Sequence, residues 1–281
     1  MSVIAAPEPL LAPVIDTHTH LNLHDRYLHG DAVPDPDELL ALAASVGVTK
    51  VVQIGCDLDY ARASVEMARS RPDVIVGVSI HPNDAAQLHA EHGAAALDAA
   101  LDEIAMLASE DVVRAVGETG LDYFRTDLPL HAAQQHAFRR HIAMAKDVDK
   151  ALVIHDRDAH DDVIAVLDDC GAPQTVIFHC FSGDAAMAEL CASRGWYMSF
   201  AGPITYKAND GLRAALAVVP DDLVLVETDA PYLTPVPQRG KPNASYLMPH
   251  TVRFMAQVRG VDEATLCTQL FDNAQRALGA W

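Results

Sequence analysis

"PVIDTHTHLN", Pro13 to Asn22, is the stretch on which the reading of this chain turns. It begins as a buried strand begins, with Val14 and Ile15, and runs into Asp16, His18 and His20 with Thr17 and Thr19 between them. Side chains of a strand alternate between faces, so Asp16, His18 and His20 share one face and the threonines take the other. Two imidazoles converging at a strand end can chelate a metal ion. A polar strand terminus produces the same pattern, and H-x-H alone does not separate the two readings.

Outward from this segment, short β-type runs alternate with helical stretches along almost the whole chain. The strands expected are Val14–Asp16, Val51–Ile54, Val74–Ile80, Val112–Gly117, Leu152–His155, Val176–His179, Trp196–Phe200 and Leu223–Thr228. Several are nearly continuous apolar runs, as strands buried on both faces should be. Asp35-Pro36 supplies a cap and a first-turn proline to a helix that stops at Gly47. Ser182 is expected to cap another that ends near Gly195. Further helices are expected over Leu58–Arg69, Ala95–Ala108, Leu130–Ala145, Asp158–Asp169, Gly211–Val218, Leu247–Val258 and Asp262–Leu278. Eight strands, each followed by helix, fit an α/β fold of the (β/α)8 TIM-barrel type, with a doubly wound open sheet as the other possibility. With no low-complexity linker and no repeat, the reading is an N-terminal extension over residues 1–13 and one barrel domain over 14–281.

The chain of 281 residues is 50% hydrophobic, enough for a substantial core. It carries 39 acidic against 20 basic residues, a formal net charge of −19. Surfaces that hold long duplex nucleic acid are basic, because neutralising phosphates supplies the affinity. The charge therefore argues against an extended non-specific DNA footprint, whereas a metal-loaded pocket can still take a single phosphate. The five cysteines are odd in number and form no C-x-x-C, which fits reduced thiols in a cytoplasmic protein. The first thirteen residues lack a basic start and hold three prolines, so no secretory leader is expected, and no apolar run reaches transmembrane length.

In a parallel barrel the reactive residues belong at the C-terminal strand ends. His18 and His20 end the first strand here, His81 the third ("SIHPND"), Glu118 the fourth ("AVGETGLDYF"), His155 the fifth ("LVIHDRD"), His179 the sixth ("VIFHCFSG") and Asp229 the eighth ("LVETDAPYL"). Of these, the four imidazoles of His18, His20, His155 and His179 with the two carboxylates make a mixed nitrogen and oxygen donor set suited to Zn, Mn or Co; Mg fits the set less well on ligand softness. Six donors exceed one tetrahedral site, and two ions sharing a carboxylate is the economical arrangement. Taken singly, Glu118 could instead pair with Arg114 or a helix N-terminus, and Asp229 could cap the turn before Pro231. His131, His136 and His141 fall five residues apart on one helix, which spreads them around its circumference and reads as surface. His24, His29, His89, His92, His160 and His250 read as loop or helix-surface residues.

With these residues in place, "DTHTHL", "HP", "GETGLDYF", "IHDRDA", "HCFSG", "ETDAPYL", "P.RGK.N" and the late "NAQR" resemble the TatD-type metal-dependent deoxyribonucleases of the amidohydrolase superfamily. The resemblance runs from about Val14 to the end and holds eight motifs in order. It implies a metal-dependent TIM barrel with His18, His20, Glu118 and Asp229 on one ion, and Glu118, His155 and His179 on a second. It also implies a substrate-phosphate or catalytic-pocket role for His81. On this frame Asp229 is the candidate general base, and Asp16 would orient one imidazole from behind. Arg157 and Arg239 are candidate phosphate or loop-ordering groups, against the alternative of surface salt bridges. Cys180, a strand neighbour of His179, should point to the other face, and Asn273 should tie the last helix to the barrel. Three departures bear on substrate contacts: Asp156 follows His155 where the family has serine or threonine, Ala244-Ser245-Tyr246 follows Asn243, and Ala201 replaces a serine.

The expectation is a cytoplasmic hydrolase with two divalent ions (Mg, Mn or Zn) cleaving phosphodiester bonds. Its partners would be DNA 3′ ends or another small phosphodiester, with no membrane and no obligate protein partner; the 3′–5′ direction is implied by the resemblance alone. Two other readings stand beside it. One is a superfamily hydrolase of a small ester, amide or phosphoester. The other is a non-catalytic scaffold whose metals serve structure only, against which six separate donors argue, since a structural site closes with four.

Overall fold

The computed structural model describes residues 4–21 and 35–281; His24 and His29 lie outside them. The elements run β1 (Val14–Thr19), α1 (Pro36–Ser45), β2 (Val48–Gly55), α2 (Leu58–Ala68), β3 (Val74–Val78), α3 (Pro82–His92), α4 (Ala94–Ala108), β4 (Val113–Asp122) and α5 (His131–Asp147). They continue through β5 (Ala151–Arg157), α6 (His160–Cys170), β6 (Val176–Phe178), α7 (Ala185–Ser193), β7 (Tyr197–Phe200), α8 (Asp210–Val218), β8 (Val224–Val226), α9 (Met248–Arg259) and α10 (Glu263–Leu278). The strands form one eight-stranded sheet in sequence order, and a parallel bridge between Thr19 and Ala230 joins the end of β1 to the residues after β8. This is the (β/α)8 barrel class, with every expected strand present. No helix of the described residues is long and apolar enough to cross a membrane.

The chain divides into two compact units. The first comprises the residues up to Gln53 together with Gly183–Arg276. Its core includes Val14, Ile15, Phe200, Val226, Met255 and Leu270, all buried. Asp35 caps α1 by accepting the Asp37 N–H (3.0 Å), with Pro36 in the first turn. Asn273 of α10 donates to the carbonyls of Asp221 (2.8 Å) and Val224 (2.7 Å), tying the last helix to β8 as expected. Asp184 caps α7 through the Met187 N–H (2.9 Å). The expected cap, Ser182, donates instead to the Asp156 carbonyl, because Asp184 lies closer to the first helical turn and its carboxylate is the stronger acceptor.

The second unit comprises Ile54–Ser182 and Ala277–Trp281, with Ile54, Val76, Leu101, Phe138, Ile154 and Phe178 in its core. Two features exceed the sequence reading. The helix α3 was not expected, because "PNDAAQLHAEH" offers only a weak apolar stripe; Pro82 starts it and the His81 side chain caps it. Strand β4 runs five residues past Gly117 and stays paired with β5 as far as Asp122 opposite Arg157. Its extension is polar in sequence yet buried throughout. Gly117 and Gly120 allow it: their φ angles are +149° and +135°, and a Cβ on Gly120 would stand 2.1 Å from the His155 carbonyl oxygen.

Candidate metal centre

In the first unit, β1 and the residues after β8 are cross-linked before any functional side chain is placed. The Asp229 N–H donates to the His18 carbonyl (2.9 Å) and the His20 N–H to the Ala230 carbonyl (2.8 Å). Asp229 sits at φ +54°, a conformation that aspartate tolerates better than most residues. This turn brings its carboxylate Oδ1 to 3.7 Å from His18 Nε2 and 3.5 Å from His20 Nε2. Both histidines are buried. Asn243 holds the turn from behind, donating to the carbonyls of Thr228 (2.9 Å) and Tyr232 (2.7 Å). The family departure just after Asn243 therefore leaves this brace intact.

Asp16 is engaged chiefly by Thr228 and by backbone. Its carboxylate accepts the Thr228 N–H (2.9 Å), the Thr228 hydroxyl (2.6 Å) and the His18 backbone N–H (3.3 Å). It fixes the strand end, and burial pushes its own pKa up to about 7 against those hydrogen bonds. Glu227, which the sequence reading passed over, is fully buried and has a ligand atom within 4.8 Å of one on His18.

In the second unit Glu118 is the hub. Its Oε2 lies 2.8 Å from His179 Nε2, 3.1 Å from His155 Nδ1 and 3.8 Å from His81 Nε2, while Oε1 accepts the Cys56 thiol at 3.5 Å. These partners replace the Arg114 pairing considered from sequence. Burial alone would push the Glu118 carboxyl up; the charges of His179 and His81 and the hydrogen bonds from His155 and His179 outweigh it and hold the group well below the ordinary carboxylate range. Burial pushes His81 down to about 3, with Glu118 opposing. His155 moves the other way: hydrogen bonds to Asp122 and Glu118 overcome burial and raise it.

His141 of α5 corrects the surface assignment. It is fully buried, its Nε2 accepts the Ile80 N–H (3.1 Å), and its Nδ1 meets the Ala137 carbonyl (2.7 Å) and the Thr119 hydroxyl (2.9 Å). A five-residue spacing spreads three histidines around a helix, and that same spread turns one of them inward. Because Ile80 precedes His81 and Thr119 follows Glu118, His141 steadies both site strands. His136 is exposed and pairs with Asp98 (2.7 Å), and His131 stacks on Tyr123 with ring centroids 3.7 Å apart.

Among the described residues neither arginine forms a surface salt bridge. The Arg157 guanidinium lies over the Phe124 ring at 4.0 Å, and that of Arg239 over Tyr206 at 4.3 Å. The extra carboxylate of Asp156 is met by His160 Nδ1 at 2.7 Å. Sequence reasoning missed Asp122, whose Oδ2 lies 3.3 Å from His155 Nε2 and accepts from Asn83 Nδ2 (2.9 Å). Strand alternation carries the signal, since Glu118, Gly120 and Asp122 share one face of β4.

The donor sets fit divalent ions. His155 Nδ1, His179 Nε2 and Glu118 Oε2 stand 2.8–3.3 Å from one another, close enough for one cation to take the place of the protons they share. Donor atoms of His81, Glu118 and His155 likewise lie within 4.8 Å of one another. His18, His20 and Asp229 offer two nitrogens and an oxygen in the first unit, a set suited to Zn or Mn.

Fold and donor chemistry together define a barrel hydrolase that depends on metal. The model of the TatD-related DNase family matches residues 15–279, and the chain belongs to that family. It is 40% identical over 275 residues to an uncharacterized metal-dependent hydrolase, TatD, of Mycobacterium tuberculosis, covering 95% of this chain and 98% of that one. It is 31% identical to a protein of Citrobacter rodentium named 3′-5′ ssDNA/RNA exonuclease TatD, covering 88% and 93% of the two chains. The crystal structure of YjjV, a TatD homologue from Escherichia coli, superposes with a TM-score of 0.83 at 26% identity over 95% of this chain and 98% of that one. The chain is thus a metal-dependent hydrolase of the TatD family.

Proposed function

We propose that the protein removes nucleotides from the 3′ end of single-stranded DNA, using two divalent ions. One ion would be held by His18, His20 and Asp229, and the other by Glu118, His155 and His179. The observation that carries the reading is the convergence of Glu118, His155 and His179 on one point, and the exonuclease named among the relatives supports the substrate. When bound, divalent ions lower the pKa of water and neutralise charge developing on a phosphodiester.

The remaining chemistry belongs to side chains. Asp229, with 14% of its side chain exposed, accepts the proton of the attacking water as general base. His81 Nδ1 accepts the Asn83 N–H (3.1 Å), so the neutral ring carries its proton on Nε2 and offers a donor to a phosphate oxygen. Arg157 adds a permanent positive charge to substrate binding. A chain with net charge −19 takes a strand end into a pocket more readily than it lies along a duplex.

The test is a 5′-labelled single-stranded oligonucleotide incubated with chelator-stripped protein resupplied with Mg, Mn or Zn. Stepwise shortening that needs both the ion and Glu118 supports the reading. An intact oligonucleotide under every ion, with ions bound to the protein, rejects DNA as substrate.

A further inference from the structure

One aromatic ring in the second unit stands largely exposed, two residues beyond Asp122 in sequence. Phe124 is 62% exposed and is the single aromatic among the large apolar side chains that the described residues leave exposed. Its neighbour Tyr123 is already used, stacked on His131 and bonded through its hydroxyl to Asp162 (2.7 Å). Phe124 is not on a loose loop. Its N–H donates to Asp122 Oδ1 (3.1 Å), as does that of Arg125 (2.8 Å), while the other oxygen of Asp122 meets His155. One carboxylate therefore positions both a candidate metal ligand and the backbone that presents the ring.

The other partner is Arg157, two residues beyond His155 on β5. Its guanidinium covers one face of Phe124 at 4.0 Å, and among the described residues it forms no ion pair with a carboxylate. Seven of the described arginines do: Arg62, Arg69, Arg139, Arg140, Arg213, Arg253 and Arg259 are all paired with carboxylates. The two carboxylates flanking it in sequence are Asp156, which is bonded to His160, and Asp158, which is exposed. A cation stacked on an aromatic ring leaves the opposite face of that ring for a second flat partner. Nucleobases are such partners, and stacking on aromatic side chains holds single strands without regard to sequence.

We propose that Phe124, backed by Arg157, is a stacking platform for one nucleobase of the single strand, holding it beside the His155–Glu118 cluster with its phosphate charge near the guanidinium. The proposal rests on the nuclease reading and extends it. It gives the reason why a protein with 39 acidic and 20 basic residues can retain a nucleic acid end, since stacking does not depend on net charge.

The test is a cycle of two changes, one in the protein and one in the substrate. Initial rates are measured with an ordinary 5′-labelled oligonucleotide and with one whose three 3′-terminal nucleotides are abasic, using wild type, F124A, F124W and R157Q. Removing the bases lowers kcat/KM of the wild type by roughly 5- to 100-fold, mostly through KM, and F124A loses a similar factor on the ordinary strand. On the abasic strand F124A adds no further loss, F124W recovers the ordinary rate, and R157Q falls between wild type and F124A. The ring is exposed, so an unchanged melting temperature of F124A confirms that folding is intact. F124A within twofold of wild type on the ordinary strand, or losses from ring and bases that multiply, overturns the platform while the nuclease reading stands. Failure of the wild type to shorten either strand under any ion overturns the nuclease reading and the platform with it.

Discussion

His155 is held from both sides by carboxylates: Nε2 lies 3.3 Å from Asp122 Oδ2 and Nδ1 lies 3.1 Å from Glu118 Oε2. Asp122 accepts the Nε2–H and so aims Nδ1 at Glu118 and His179, where the nitrogen would bind an ion once its own proton is released. Neutralising that carboxylate loosens the orientation without removing a ligand. D122N should weaken metal binding at the Glu118 cluster by about 10- to 100-fold. Isothermal titration with Mn or Zn, read beside an unchanged circular dichroism spectrum, checks this. An unaltered affinity would mean that packing alone orients the imidazole.

Asp229 meets the His18 and His20 imidazoles through its carboxylate, while its backbone N–H bonds to the His18 carbonyl. D229N keeps that turn and removes the base. Its kcat should fall by about 10²- to 10⁴-fold with the melting temperature little changed. A loss confined to KM would assign Asp229 to binding instead.

His141 gives the fold a pH dependence of its own. Burial pushes its pKa from 6.5 down to about 4, with the Ala137 hydrogen bond opposing. Nε2 already accepts the Ile80 N–H, so a protonated ring would set two donors against each other. Between pH 6.5 and 4 the unfolded chain takes up a proton that the folded chain refuses. The stability contribution is therefore full above pH 6.5 and is lost as the pH falls towards 4, by about 3 kcal/mol at most. Denaturant unfolding at pH 7 and pH 4.5 should show a steeper loss for wild type than for H141Q. Equal slopes would remove His141 from the account.

Gly120 lets β4 pass close to β5 at the point where both carry site residues. With φ +135° and the His155 carbonyl in the path of any Cβ, G120A should cost about 2–4 kcal/mol and displace His155. Thermal unfolding measures the first effect, and loss of ion binding at the Glu118 cluster the second. A variant as stable as wild type would show that the strands can separate at no cost.

The strands were legible where they hold an apolar run buried on both faces, as Val74–Val78 does. The candidate ligands were legible because their chemistry sits where those runs stop. The polar half of β4 was not: Glu118, Thr119 and Asp122 look like loop until their burial around a polar centre is known. The helix α3 hid behind a proline and a thin apolar stripe. His141 was misread because spacing tells how residues spread around a helix and not which of them faces inward. Asp16 was assigned to an imidazole from strand alternation, whereas Thr228, brought alongside by the fold, offers it better donors.

The central proposal is that the chain holds two ions, one on His18, His20 and Asp229 and one on Glu118, His155 and His179. Metal content after equilibrium dialysis against Mn or Zn, measured by elemental analysis, tests it most directly for wild type, the His18→Ala/His20→Ala pair, the His155→Ala/His179→Ala pair and all four together. Two ions per wild-type chain are expected, one in each pair variant and none in the fourfold variant. Wild type holding no ion, or either pair variant keeping both, would contradict it.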